Sequence, residues 1–120
     1  MVRFSGMSRT GPGQWPIARE YTRHLIDIRL IVKTTTVLHG RTRNLGEGGL
    51  GATVAGDMPL GEIVKLEFHL PEVPQLIQIH AEVRYRQGFQ FGFKFINPSA
   101  EQVALIHRAT RNLPLDVARR

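Results

Sequence analysis

Hydrophobic and polar residues alternate along most of the chain between residues 25 and 95, and this period of two predicts β-strands. The first alternating run covers residues 25–33, and a run rich in β-branched residues continues as a second strand over residues 34–42. Three later runs alternate more regularly, over residues 63–70, 77–86 and 89–95. The middle of the chain is therefore predicted to be mainly β-structure.

One face of each later run is hydrophobic and is expected to face the core. These positions are Val64, Leu66, Phe68 and Leu70; Ile77, Ile79, Ala81, Val83 and Tyr85; and Phe89, Phe91, Phe93 and Phe95. The phenylalanines form a ladder on one side of the last run. We therefore expect all four rings to be core residues, not a surface for stacking on nucleic-acid bases.

The breaks between the runs are rich in glycine and proline. The segment Asn44–Gly49 contains too many glycines for a strand interior. The dipeptide Gln87-Gly88 suits a tight hairpin turn between the last two runs. The breaks thus predict short strands joined by turns.

The end of the chain predicts one helix. Ser99 and Gln102 have the spacing of a capping box, in which each side chain satisfies a backbone amide of the first turn. Hydrophobic residues follow at helical spacing, and Pro114 ends the pattern. The hydrophobic positions are Val103, Ile106, Ala109 and Leu113.

Together these elements predict an all-β fold with one C-terminal helix: a small six-stranded antiparallel β-barrel, whose closure removes exposed strand edges. A chain of 120 residues has room for one such domain. We expect a flexible arm over residues 1–18, the barrel and its helix over residues 19–113, and a short tail over residues 114–120.

Composition favours an anionic partner. The formal net charge is +6, and only three of the sixteen basic residues are lysines, so thirteen are arginines. The planar guanidinium of arginine binds phosphate through two hydrogen bonds and stacks on bases. The sequence has no cysteine, no signal-peptide pattern and no apolar run of about 20 residues, so we expect a cytoplasmic protein without a membrane span.

The residues of an active site are not apparent. The five histidines lack the spacing of zinc ligands, and the glycine-rich segment lacks the patterns of phosphate-binding and dinucleotide-binding loops. We therefore expect no catalysis, no metal site and no cofactor.

The order and spacing of two groups of residues are more informative about function than the composition is. Arg19 and Arg23 are four residues apart, and the segment Asn44–Gly49 follows 21 residues after Arg23. The combination resembles the signature of the PilZ domain family, Arg-x-x-x-Arg followed by Asp/Asn-x-Ser-x-x-Gly after a strand. The resemblance continues through the strand at residues 61–70 and a closing hairpin, and it covers roughly residues 19–106, most of the chain.

Membership of this family implies a PilZ barrel that binds cyclic di-GMP. Arg19 and Arg23 are then expected to contact guanine or phosphate. Asn44 is expected to hydrogen-bond a guanine edge or a phosphate. Gly46 and Gly49 belong to the same turn, and Gly49 is expected to supply a backbone conformation with positive φ.

The implied mechanism is ordering of the arm. Ligand binding is expected to fold the arm over the barrel, so that the protein then signals to a partner effector protein.

Gly46 departs from the family pattern, which has serine at this position. A lost hydrogen bond to a charged group weakens binding by about 1.5–3 kcal/mol. The departure leaves open an alternative: a degenerate PilZ domain that binds no nucleotide and acts through protein–protein contacts. A basic barrel that binds single-stranded nucleic acid is a further alternative, against which the expected burial of the phenylalanines argues.

Overall fold

A computed structural model describes residues 22–117 of the chain. The predicted arm at residues 1–18, Arg19 and residues 118–120 lie outside the described residues. The described residues form seven strands and one helix. These are β1 (Arg23–Leu25), β2 (Arg29–Lys33), β3 (Val37–Gly46), β4 (Gly49–Val54), β5 (Ile63–His69), β6 (Leu76–Gln87), β7 (Gln90–Phe95) and α1 (Ala100–Thr110).

Six of the strands close into an antiparallel barrel, in the order β3-β2-β5-β6-β7-β4, with β4 returning to pair with β3. The long strand β3 makes this closure possible. Its first half pairs with β2, its second half pairs with β1 on the same side, and its other side pairs with β4. The predicted six-stranded barrel with one C-terminal helix is confirmed. No helix among residues 22–117 is long and apolar enough to cross a membrane.

The barrel interior is filled by the alternating hydrophobic residues. The predicted inward face of residues 64–70 is buried throughout, as is that of residues 77–83. Phe91, Phe93 and Phe95 are also buried, and Ile106 of α1 packs on the same core. The three buried rings are not available for stacking on bases.

The first predicted strand is interrupted, contrary to expectation. Residues 26–28 lie outside the strands, and the Thr42 hydroxyl binds their backbone: Thr42 Oγ1 donates to Ile26 O at 2.6 Å and accepts from Ile28 N at 3.0 Å. The run therefore splits into β1 and β2, which both remain beside β3. The prediction of one strand over residues 25–33 was wrong in this respect.

The second predicted strand is shifted along the chain. Residues 34–36 form the turn between β2 and β3, where Thr34 N donates to Thr36 O at 2.8 Å. Strand β3 then runs into the glycine-rich segment as far as Gly46, and β4 begins at Gly49. The interpretation of Asn44–Gly49 as a break between strands was therefore wrong at both ends.

The hairpin of β6 and β7 corrects two core assignments. The register shifts between Val83 and Tyr85, which moves Tyr85 to the outer face opposite Gly92. The turn consists of Gly88, with a φ of 63°, and Phe89, one residue later than predicted. Phe89 is consequently 64% exposed and does not belong to the core.

The predicted capping box at the start of α1 is confirmed. Ser99 Oγ accepts from Gln102 N, and Gln102 Oε1 accepts from Ser99 N, both at 3.0 Å. The helix ends at Thr110, before Leu113, so the last predicted helical position lies in the segment that follows. Thr110 Oγ1 donates back to Ile106 O at 2.8 Å at this end.

Glu67 connects three strands on the outer face of the barrel, where it is only 8% exposed. Its carboxylate lies 3.0 Å from Lys33 Nζ on β2 and accepts a hydrogen bond from Gln78 Nε2 on β6 at 2.8 Å. The hydrogen bonds from Lys33 and Gln78 lower the pKa of the Glu67 carboxyl below its ordinary value. Glu67 is therefore expected to be ionised in the folded barrel at neutral pH.

We expect acid to destabilise the barrel partly through Glu67. Because the pKa of this carboxyl is lower in the folded than in the unfolded chain, its stabilising contribution is present above the unfolded pKa and is lost as the pH falls through the folded pKa. Urea unfolding measured at decreasing pH from about pH 5 follows this loss. Glu67→Gln should lose less stability as the pH falls than the wild type does, and Glu72→Gln, which changes an exposed carboxylate outside the helix and strands, is the control. Equal pH slopes for Glu67→Gln and the wild type would contradict the prediction.

Candidate functional site

Four of the predicted site residues lie together on the outer face of the barrel. In the register, Arg23 pairs with Gly46 and Leu25 pairs with Asn44. Asn44 in turn pairs with Gly51 of β4, two residues after Gly49. The structure therefore brings Arg23, Asn44, Gly46 and Gly49 together across β1, β3 and β4, while Arg19 lies outside the described residues.

A bulge in β3 places Asn44 on the outside. Thr42 pairs with Ala52, which faces the core, and the register shifts between Thr42 and Asn44. The shift turns Asn44 outward and Leu45 inward, where Leu45 is buried opposite Leu50. Arg43 is the extra residue of the bulge, and without it Asn44 would face the barrel interior.

Arg23 lies flat over two glycines. A Cβ atom on Gly46 would lie 3.2 Å from Arg23 Cγ, and a Cβ atom on Gly49 would lie 3.0 Å from Arg23 Nη2. The side chain thus runs from β1 across β3 toward β4. At its end, Arg23 Nη1 donates a hydrogen bond to Asn44 Oδ1 at 3.1 Å.

The Asn44 side chain is the centre of the hydrogen-bond network at this site. Its Oδ1 accepts from Gly51 N at 2.7 Å as well as from Arg23, and its Nδ2 donates to the carboxylate of Asp116. Only 4% of the residue is exposed. Since two donors reach the oxygen and an acceptor reaches the nitrogen, the orientation of the amide is fixed.

Gly46 and Gly49 are required here for space. A Cβ atom would lie 2.2 Å from the carbonyl oxygen of Thr22 at Gly46, and 2.1 Å from that of Phe93 at Gly49. Gly49 does not have a positive φ, so the expected reason for this glycine was wrong. The close approach of neighbouring backbones excludes a side chain at both positions.

The segment after α1 returns to this site. Pro114 O accepts from Leu25 N at 2.8 Å, and Asp116 N donates to Arg23 O at 2.9 Å. An isolated bridge joins His24 to Leu115 between them. These contacts lay the segment along the free edge of β1 and carry the Asp116 carboxylate to Asn44.

Basic residues surround the Arg23–Asn44 pair. Lys94 is exposed and pairs with Gly49 in the register. An open depression of about 750 Å³ lies beside Leu25, and Arg41 and Arg43 line it. Arg41 Nε is 2.6 Å from Asp27 Oδ1, so part of this charge is already paired.

Sequence reasoning missed Gly51 and Asp116. Gly51 has a detectable signal, since a glycine inside a strand marks a close approach of other atoms, here the Asn44 amide. Asp116 has no local signal, because its contact with Asn44 spans 72 residues. Residues 22–117 contain no group of three or more acidic or histidine side chains placed to hold a metal ion.

The architecture defines the class of domain: a small closed barrel of six antiparallel strands with one helix after them. The chain belongs to the PilZ domain family, whose model matches residues 18–112. The family membership expected from the sequence is confirmed. No curated protein matches the chain significantly.

Solved PilZ structures have the same fold. The PilZ domain of Escherichia coli YcgR with c-di-GMP is 19% identical, with a TM-score of 0.65 over 79% of this chain and 90% of that one. The PilZ domain of CeSA from a cellulose-synthesizing bacterium is 15% identical, with a TM-score of 0.60 over 74% of this chain and 94% of that one.

A longer protein also matches. The Bacillus subtilis inhibitor of motility, MotI/DgrA, is 17% identical with a TM-score of 0.68. The match covers 78% of this chain and 49% of that one, so the chain spans about half the length of MotI/DgrA.

We expect Gly46→Ser to disturb β1, although it introduces the serine of the family pattern. The new Cβ atom would meet the Thr22 carbonyl oxygen, so β1 must move away from β3. The free energy of unfolding should fall by about 1–3 kcal/mol, and the Leu25 amide, which donates to Pro114 O, should exchange faster with solvent. Gly92→Ser, on the same outer face, is the control: its Cβ atom meets the side chain of Tyr85 and should leave β1 unchanged. Unaltered exchange at Leu25 in Gly46→Ser would contradict the prediction.

Proposed function

We propose that the protein is a cyclic di-GMP receptor with its binding site at Arg23 and Asn44. The observation that carries the proposal is the direct hydrogen bond between these two residues on the outer face of a PilZ barrel. The YcgR PilZ domain, which has the same fold, was solved with this ligand. The proposed activity is binding, with no catalytic step.

The chemistry of the site suits the ligand. Cyclic di-GMP carries two phosphates and two guanines, and a guanidinium can bind the O6 and N7 atoms of guanine as a fork or pair with phosphate. Asn44 holds the Arg23 guanidinium against the barrel, which lowers the conformational entropy that binding must remove. In this proposal Arg23 makes the main contact, while Asn44 positions Arg23 through its oxygen and donates to the ligand through its nitrogen.

The surroundings of the pair support an anionic nucleotide. The depression beside Leu25 offers room for a base, and Leu25 itself is 42% exposed and apolar. Arg43 lines the depression, and Lys94 stands on the opposite side of Asn44. Positive charge on both sides of the site would attract and orient the two phosphates.

Gly46 contributes to the proposed site through its lack of a side chain. Its neighbours, the Thr22 carbonyl and the Arg23 side chain, fill the space that a serine Cβ would need. The serine hydroxyl of the family pattern is therefore replaced by a closer approach of Arg23 to the barrel.

We expect titration with cyclic di-GMP to give saturable binding that depends on the predicted site residues. Arg19→Ala, Arg23→Ala and Asn44→Ala should each weaken binding by about tenfold or more. Each variant removes a hydrogen bond to the ligand or removes the side chain that positions Arg23. Arg84→Ala is the control, because Arg84 is exposed on β6, three strands away from β3 along the barrel. Isothermal calorimetry measures the affinities.

The same titration can refute the proposal. If millimolar cyclic di-GMP produces no heat and no NMR shifts, the receptor function is wrong. The alternative, a degenerate PilZ domain that acts through protein–protein contacts, would then stand.

We further propose that ligand binding orders the arm at residues 1–18, which brings Arg19 onto the ligand and presents a new surface to an effector protein. The support is the position of Arg23 at the start of β1, directly after the arm and Arg19. Residues 1–18 contain Gly11-Pro12-Gly13, a composition typical of segments that fold only on binding.

We expect the NMR order parameters of residues 1–18 to rise toward about 0.85 when cyclic di-GMP binds. Arg23→Ala provides the control, because the arm of this variant should not respond at the same ligand concentration. Order parameters that are equal in the free and bound protein would refute ordering of the arm.

A further inference from the structure

We propose that the segment Leu113–Asp116, here called the post-helix segment, competes with the ligand for Asn44 and so holds the site in an autoinhibited state. The inference rests on the proposed function, because it concerns the same site. Its central observation is the hydrogen bond from Asn44 Nδ2 to the Asp116 carboxylate.

The Asp116 carboxylate accepts from the Asn44 amide nitrogen, which is the donating side of this group. Asn44 Oδ1 is bound by those two residues, at 3.1 Å and 2.7 Å, which leaves Nδ2 as the donating group of the side chain. The amide nitrogen has two N–H groups, so a phosphate oxygen or a guanine acceptor at Asn44 must bind beside the Asp116 carboxylate or in its place. The Asp116 carboxylate presents the same chemistry, an anionic oxygen acceptor, and therefore stands in for the ligand.

The charge of Asp116 opposes the proposed ligand as well. Its backbone N–H is bonded to the carbonyl oxygen of Arg23, and its carboxylate meets the same Asn44 side chain that holds the Arg23 guanidinium. A negative charge thus lies next to Asn44, between the basic residues Arg43 and Lys94. A doubly anionic ligand must either displace it or bind against its repulsion.

The segment is attached weakly enough to be displaced. It is joined to β1 by two backbone hydrogen bonds and to His24 Nδ1 through Leu113 O at 2.9 Å. Of its apolar side chains, Leu115 is 55% exposed and Pro114 is exposed, and only Leu113 is half-buried, so little hydrophobic burial holds the segment in place. Elements with few buried contacts open at low free energy, whereas the barrel strands beneath remain closed.

Displacement also connects ligand binding to a change elsewhere in the chain. If the ligand and the post-helix segment exclude each other at Asn44, each weakens the other by the same factor. Binding would then free the edge of β1, including the Leu25 amide and the Arg23 carbonyl. An exposed strand edge is a surface on which another strand can pair.

Three variants test the inference by calorimetric titration with cyclic di-GMP. Asp116→Ala removes both the charge and the acceptor and should tighten binding by about 3- to 30-fold, since Asp116 is only half-buried and a fully desolvated bond of this kind is worth about 10- to 150-fold. Asp116→Asn keeps an acceptor oxygen without the charge and should give a smaller gain. Asp57→Asn is the control, because it makes the same charge change at an exposed carboxylate paired with Arg86, and it should leave the affinity unchanged.

The outcomes separate this inference from the proposed function. If neither the wild type nor any variant binds cyclic di-GMP, the proposed function fails and the inference fails with it. If the wild type binds and Asp116→Ala binds equally or more weakly, the receptor function stands and autoinhibition is overturned. If Asp57→Asn tightens binding as much as Asp116→Asn does, the effect is one of net charge, and autoinhibition is again overturned.

Hydrogen exchange gives an independent readout. The Asp116 amide, which donates to Arg23 O, should exchange faster in the presence of saturating cyclic di-GMP. The Val83 amide, which donates to Glu62 O at 2.9 Å in the barrel, should not change. Slower exchange at Asp116 on binding would show that the segment closes over the ligand, which would overturn the inference.

Discussion

The close approach of the backbones at the β1–β3 and β4–β7 contacts is the constraint on which the outer surface of this barrel depends. Thr22 and Phe93 present carbonyl oxygens where Gly46 and Gly49 would otherwise carry side chains. The outer surface therefore has no side chain at these two positions, and the Arg23 side chain lies across both of them. The position of the guanidinium is thus set by the backbone beneath it before any ligand is considered.

Burial below this surface makes the constraint rigid. Leu45 and Leu50 face each other in the core directly under it, and Phe93 is the next buried residue in the same layer. Any outward movement of β3 or β4 would open a cavity in that layer, which is expensive in a close-packed interior. The polar network on the outside is therefore anchored by apolar packing on the inside.

The core strands could be predicted from the sequence because their alternation is regular. Residues 64–70 and 77–83 kept their expected faces, but a one-residue bulge reversed the face of Tyr85. Periodicity cannot place such a bulge, since it depends on pairing with a distant strand. Strand β4 was missed for a related reason: its glycines are explained by Arg23 and Asn44 lying above them, a tertiary contact that no local pattern contains.

Some residues of the proposed site could be predicted from the sequence, and others could be found only in the fold. Arg23 and Asn44 could be paired in advance only through the family signature, whereas Gly51 and Asp116 required the fold to be known. Asp116 reaches Asn44 because α1 ends at Thr110 and the following residues turn back along β1. The end of that helix therefore decides whether a carboxylate enters the site.

The placement of Asn44 has a consequence for how affinity is set in this protein. Its two polar atoms serve opposite charges: the oxygen holds the cationic Arg23, and the nitrogen holds the anionic Asp116. One amide thus links the group that would bind an anion to the group that would repel it. In the proposed receptor, the barrel and its motif alone would therefore not fix the affinity, because the segment that follows the helix supplies the opposing charge.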